Sequence, residues 1–91
     1  MLKPITITKT QCRFFYRNGR HFCSVHIPHA HTIYMDMGRD NRPFEAVVSD
    51  IQAATTLFLD SYSGDPYLRE VSFGIALPSL LGYKRSNSML S

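Results

Sequence analysis

The sequence predicts an α+β domain: a small antiparallel or mixed sheet of about four strands, with one long helix packed on one face. Three observations predict it. An Asn18-Gly19 pair lies between two β-rich runs, apolar residues recur at helical spacing over 44–62, and alternation returns over 67–77. The resulting order is β-β-β-α-β. The 91 residues are 44% hydrophobic, enough for one core, so residues 1–91 read as a single domain with 86–91 as a frayed tail.

Each element has its own warrant. Asn-Gly is the preferred pair for a two-residue type I′ hairpin because both positions need positive φ. That loop sets Arg17 opposite Arg20, Phe15 opposite Phe22, Phe14 opposite Cys23 and Cys12 opposite Val25. Period two then assigns Cys12, Phe14, Tyr16, Cys23, Val25 and Ile27 to a core face. Gln11, Arg13, Phe15, Arg17, Arg20, Phe22, Ser24 and His26 fall on the other face. Upstream the parity breaks, since Ile5 and Ile7 are odd-numbered, so either a bulge lies near Lys9–Gln11 or residues 4–8 form a separate strand or arm. Pro28 ends the second strand. In the third, His29, His31, Ile33, Met35 and Met37 share one face, and Ala30, Thr32, Tyr34 and Asp36 the other.

"GRDNRP" leads into the helix, with Asn41 or Arg42 as cap, Pro43 in the first turn and Glu45 near the positive end of the dipole. Phe44, Val47, Val48, Ile51, Ala54, Thr55, Phe58, Leu59 and Tyr62 form its apolar stripe. Glu45, Ser49, Gln52, Thr56 and Asp60 form its solvated side. Gly64 and Asp65-Pro66 stop it. In "YLREVSFGIAL" Tyr67, Val71, Phe73, Ile75 and Leu77 alternate as a fourth strand, which Pro78 ends.

The charge distribution points to partners. Net charge is +3, but residues 1–35 hold five cations and no acid, while every acid lies within 36–70. No apolar run approaches the roughly 20 residues that span a bilayer, and "MLKPITITKT" has no secretory pattern. Two cysteines in that context read as reduced thiols, so a cytoplasmic protein is expected.

The histidines invite a metal or an acid–base reading. His29-Ala30-His31 on a strand places two rings on one face, about 7 Å apart at the backbone. The hairpin register, however, sends His26 to the outer face and His21 to the core side, and no zinc-finger spacing is present. Neither paired carboxylates, a Gly-rich phosphate loop nor a nucleophile elbow occurs. Cys12 and Cys23 sit diagonally on the core face, where a thiol is inert and a disulfide unfavoured. No catalytic residue, metal site or cofactor is therefore assigned, and the chain reads as a non-enzyme.

The candidate partner-binding residues are Arg13, Phe15, Arg17, Arg20, Phe22 and His26, which share the outer hairpin face. Aromatics interleaved with arginines stack single-stranded nucleic acid, and they also anchor protein interfaces. The competing structural expectation is that Leu80, Leu81 and Tyr83 of the C-terminal segment cover the two phenylalanines.

The element order, with Pro28 after the second strand and "GRD" before the helix, resembles the partial RNase H-like domain of HicB-type antitoxins over residues 10–65. The Pro-Asp-Leu-Pro-Gly-like run of that family is replaced by "IPHAHT", and no DNA-binding segment follows. The resemblance is one of topology and implies a protein that binds and blocks a partner. The leading expectation is a stoichiometric protein–protein inhibitor or adaptor of the phage or mobile-element accessory type, such as a blocker of a host defence or nucleic-acid-handling complex. The alternatives are a nucleic-acid-binding module using the same face, a homodimer built through it, and a His-dependent metal-binding or nuclease-like enzyme. No membrane partner is expected.

Overall fold

Asn18 and Gly19 take φ of 54° and 76°, as a type I′ turn requires, in the computed structural model, which describes residues 3–86. They join β1 (Cys12–Arg17) to β2 (Arg20–His26), and the register is the one the turn dictates, from Arg17 opposite Arg20 to Cys12 opposite Val25. β3 (Thr32–Gly38) pairs with β2, placing Tyr34 opposite Ser24 and Asp36 opposite Phe22. The register shifts at His21/Phe22, a bulge that leaves His21 opposite Gly38.

β3 begins later than the sequence suggests. His29 stands in a turn at φ 63°, off the strand, with Ala30 N–H donating to the Ile27 carbonyl. Ile33, Met35 and Met37 are buried, and Thr32, Tyr34 and Asp36 lie on the opposite face. The helix α1 spans Phe44–Ser61 with Pro43 itself in the cap position, one residue beyond the expected cap. Its stripe is as predicted: Val47, Val48, Ile51, Ala54 and Thr55 are buried, flanked by half-buried Phe44, Phe58 and Leu59. Gln52 is more than a solvated residue, because its amide donates to the Ile7 carbonyl at 2.9 Å.

The predicted strand over 67–77 is instead a helix, α2 (Arg69–Leu81), preceded by a short 3-10 turn at Pro66–Leu68 whose cap, Asp65, accepts from Tyr67 N–H. Pro78 does not end a strand but lies within the last turns of α2. The helical segment between β3 and the last strand therefore comprises two helices. Phe73, Gly74, Leu77 and Pro78 form the buried side of α2. The approach to the sheet is close at Gly74, where an added Cβ would lie 3.1 Å from Ile27 Cδ1 and 3.2 Å from Ile33 Cδ1. Gly82, at φ 76°, ends α2 in a Schellman motif: Gly82 N–H donates to Ser79 and Tyr83 N–H to Pro78. That reversal returns the chain as β4 (Lys84–Ser86), which pairs antiparallel with β3. Ser86, assigned to the tail by sequence, is thus the end of a strand, and 87–91 lie outside the described residues.

The sheet is fully antiparallel in the order β1-β2-β3-β4. The core lies on one side only, between the sheet and the helices, around Cys23, Val25, Ile27, Ile33, Met35, Ile51, Phe73 and Leu77. The first residues form a separate arm: Ile5 and Ile7 are buried in that core, and a 3-10 turn at Lys9–Gln11 leads into β1. Tyr16, assigned to the core by parity, is 68% exposed because it lies at the hairpin end, against the His21 ring.

Candidate functional site: the helix-free face of the sheet

Period two and the observed registers fix which residues occupy the face without helices. β1 contributes Arg13, Phe15 and Arg17, and β2 contributes Arg20, Phe22, Ser24 and His26. β3 adds Thr32, Tyr34 and Asp36, and β4 adds Lys84 and Ser86. All six partner-binding candidates from the sequence therefore share one face, although their environments differ. The expected covering by the C-terminal segment does not occur among the described residues. Leu81 and Tyr83 pack on the helix-side core, Tyr83 also accepts from Arg42, and Leu80 is exposed.

Phe22 is nonetheless only 4% exposed. It sits on a central strand between Phe15 on β1 and Asp36 on β3, so neighbours on its own face shield it. The sequence paired Phe22 with Phe15 as bare aromatics; only Phe15, at 41% exposure, is accessible. Arg20 is engaged too: its Nε donates to both Asp36 carboxylate oxygens, at 3.2 and 3.1 Å. The bulge lets Gly38 N–H donate to the same carboxylate at 2.7 Å. Partial desolvation works against the ionised form of Asp36. The bonds from Arg20 and Gly38 and the charges of Arg20 and Lys84 outweigh it and hold the carboxyl below its ordinary range.

Arg13 and Arg17 make no ion pair or hydrogen bond among the described residues. Four cations (Arg13, Arg17, Arg20, Lys84) against one carboxylate (Asp36) give the face +3, equal to the net charge of the whole chain. The remaining surface is balanced, so the attraction for an anionic partner is concentrated here.

The face is also concave. A recess of about 450 Å³ has Ser24, His26, Thr32 and Tyr34 along β2 and β3 and Arg13 and Phe15 on β1. Thr10 and Gln11 close one side, and Gln11 is held there by a 3.3 Å bond from its amide to the His26 carbonyl. Among the described residues no carboxylate lines the recess. Sequence reasoning placed Ser24 on this face and Thr32, Tyr34 and Asp36 on one face of β3. What it lacked was the pairing of β2 with β3 that joins them. Lys84 was hidden because the fourth strand was assigned to 67–77.

The histidines are dispersed. His21 lies 4.9 Å from the Tyr16 ring, His26 Nδ1 is 3.2 Å from Thr32 Oγ1, and His29 is exposed in its turn. Among the described residues no group of three His, Cys, Asp or Glu side chains could hold a metal ion. Cys12 and Cys23 are free and buried. Burial raises both thiols, that of Cys23 to about 12 with a further contribution from Cys12, so neither is a thiolate at neutral pH. No helix among the described residues is long and apolar enough to cross a membrane.

Comparison with known proteins finds no matching family model, no matching curated protein and no matching solved structure.

Proposed function

We propose that this chain is a small cytoplasmic, non-enzymatic binding protein, a stoichiometric inhibitor or adaptor that engages a nucleic-acid-handling protein complex through the helix-free sheet face. One observation carries the reading: among the described residues the face holding the net charge is the one no helix covers, with Arg13 and Arg17 unpaired there and Phe15 exposed between them. Arginine and aromatic side chains on an open face are the residue types that anchor interfaces. Among the described residues, two neutral buried thiols and dispersed histidines offer neither an activated thiol nor a metal-holding cluster to a catalytic alternative. The charge also argues against a symmetric homodimer through this face, since two copies would bring +3 against +3.

The test is capture from lysate with and without nuclease, using wild type and the double variant Arg13→Glu/Arg17→Glu. A protein complex retained in fixed stoichiometry after nuclease, and lost with the variant, is the expected result. Retention by the variant removes the face from the interaction. The recess favours a second reading, direct nucleic-acid binding, and salt separates the two. Phosphate contacts lose affinity steeply as salt rises, while a packed aromatic interface does not.

A further inference from the structure

We propose that the recess on the helix-free face is an oxyanion site holding a backbone phosphate of a single-stranded nucleic acid, with the adjoining base laid on Phe15. The inference rests on the second reading above, direct nucleic-acid binding by the helix-free face, and adds which groups of the strand the recess holds.

The register supplies the first argument. Arg13 is opposite Ser24, and Ser24 is opposite Tyr34, so the three form one row across β1, β2 and β3 on the same face. With strands about 4.8 Å apart, the row spans about 10 Å at the backbone. The second argument is unused hydrogen-bonding capacity. The Arg13 guanidinium, the Ser24 hydroxyl and the Tyr34 hydroxyl make no hydrogen bond among the described residues. Ser24 is 6% exposed as a residue, but no fully buried side-chain oxygen among the described residues lacks a partner, so its unbonded hydroxyl is the part that solvent reaches. Ser24 lines the recess, where that hydroxyl is open to a ligand. His26 has Nδ1 engaged by Thr32, which leaves Nε2 available on the next row.

The lining selects the ligand. Among the described residues it offers a permanent cation and several donors with no carboxylate, and the carboxylate that the strands place on this face, Asp36, is closed by Arg20 and Gly38. That set takes an anion with several acceptor oxygens. A lone carboxylate leaves most of about 450 Å³ empty, whereas the Phe15 and Tyr34 rings suit a planar group attached to the anion. A phosphate with its neighbouring base meets both conditions. The base must be unpaired to reach an aromatic ring, which selects a single strand over a duplex. Arg17 and Lys84, on the same face beyond the recess, stand in place for flanking phosphates.

The experiment uses the full chain and a fluorescent single-stranded DNA decamer, read by anisotropy. The matching duplex and poly-glutamate serve as competitors, and circular dichroism checks the fold of every variant. Three cations predict a slope of about −2 in log K against log salt, or roughly a 16-fold loss between 50 and 200 mM. Arg13→Gln is expected to weaken binding about tenfold and to make the slope shallower by about 0.7. Tyr34→Phe, which keeps the ring, weakens binding several-fold at unchanged slope. In a separate titration, inorganic phosphate shifts the Arg13 side-chain and Ser24 amide NMR signals saturably, and Arg13→Gln abolishes this. Equal affinity for duplex and single strand, signals unmoved by phosphate, or full displacement by poly-glutamate at matched charge overturns the proposal; the last result reassigns the recess to an acidic protein. If Arg13→Glu/Arg17→Glu loses the cellular partner while the decamer never binds, the face stands and the recess proposal falls.

Discussion

Replacing Asp36 with asparagine separates two roles of the helix-free face, because stability and binding should move in opposite directions. Asp36 accepts from Arg20 Nε through both oxygens and from Gly38 N–H, while the two side chains remain 21% and 42% exposed. Breaking a buried pair costs about 3–5 kcal/mol and an exposed pair is worth about 0.2–1 kcal/mol. Solvent screening at Arg20 puts this pair near the exposed end. Asparagine keeps an oxygen for Gly38 N–H, so the loss is about 1 kcal/mol, or roughly 4–8 °C in Tm for a domain of this size. Because the folded carboxyl titrates below its ordinary value, its stabilisation is complete above about pH 3.9 and fades as pH falls through the lower folded value. The asparagine side chain does not titrate, so the gap between the proteins closes on acidification. Removing the carboxylate also frees Arg20 and takes the face from +3 to +4, which strengthens binding to an anionic probe. Urea unfolding at pH 7, 5, 4 and 3, with anisotropy at pH 7, measures both. A gap that persists undiminished at pH 3, or weaker binding by the variant, refutes the reasoning.

Other perturbations test the packing. Phe22→Ala should cost about 3 kcal/mol in chemical denaturation and Phe15→Ala only about 1, although both lie on the same face; equal costs contradict the shielding of Phe22. Gly74→Val should lower stability by about 1–3 kcal/mol, since its side chain must enter the space held by Ile27 and Ile33. Native protein should resist thiol reagents until it unfolds. With the Cys23 thiol pushed up to about 12, the folded state holds its proton more tightly than the unfolded state. Stability should therefore decline from about pH 9 upward, by at most about 1.4 kcal/mol per pH unit from this group; a Cys23→Val variant with the same alkaline profile as wild type argues against this cause.

The hairpin was legible because Asn18-Gly19 leaves a single loop geometry, which fixes every pair out to Cys12 and Val25. The α1 stripe was legible because it runs over five turns at one period. The second helix was not. Tyr67, Val71, Phe73, Ile75 and Leu77 alternate as a strand does, yet Phe73, Leu77 and Leu81 are spaced four apart, so both periods fit the same letters. Tertiary packing decides: α2 buries Phe73 and Leu77 and leaves Ile75 in solvent, and the 3-10 turn before it leaves Tyr67 there too. Parity alone also misjudged depth. It assigned Phe22 to the correct face, but a side chain in mid-sheet is covered by its neighbours, while Tyr16 at the hairpin end has too few. The charged face was half visible, since Arg13 and Arg17 follow from the hairpin and Lys84 required the Schellman turn after α2.

The most direct test of the helix-free face as the contact surface is nuclease-treated capture by three proteins of equal fold: wild type, Arg13→Glu/Arg17→Glu, and Leu57→Ser/Ile75→Ser. The last alters exposed apolar residues on the helix side. Loss of the captured complex with the sheet-face variant and full retention with the helix-side variant is the predicted result. The reverse pattern places the interface on the helices and contradicts the account.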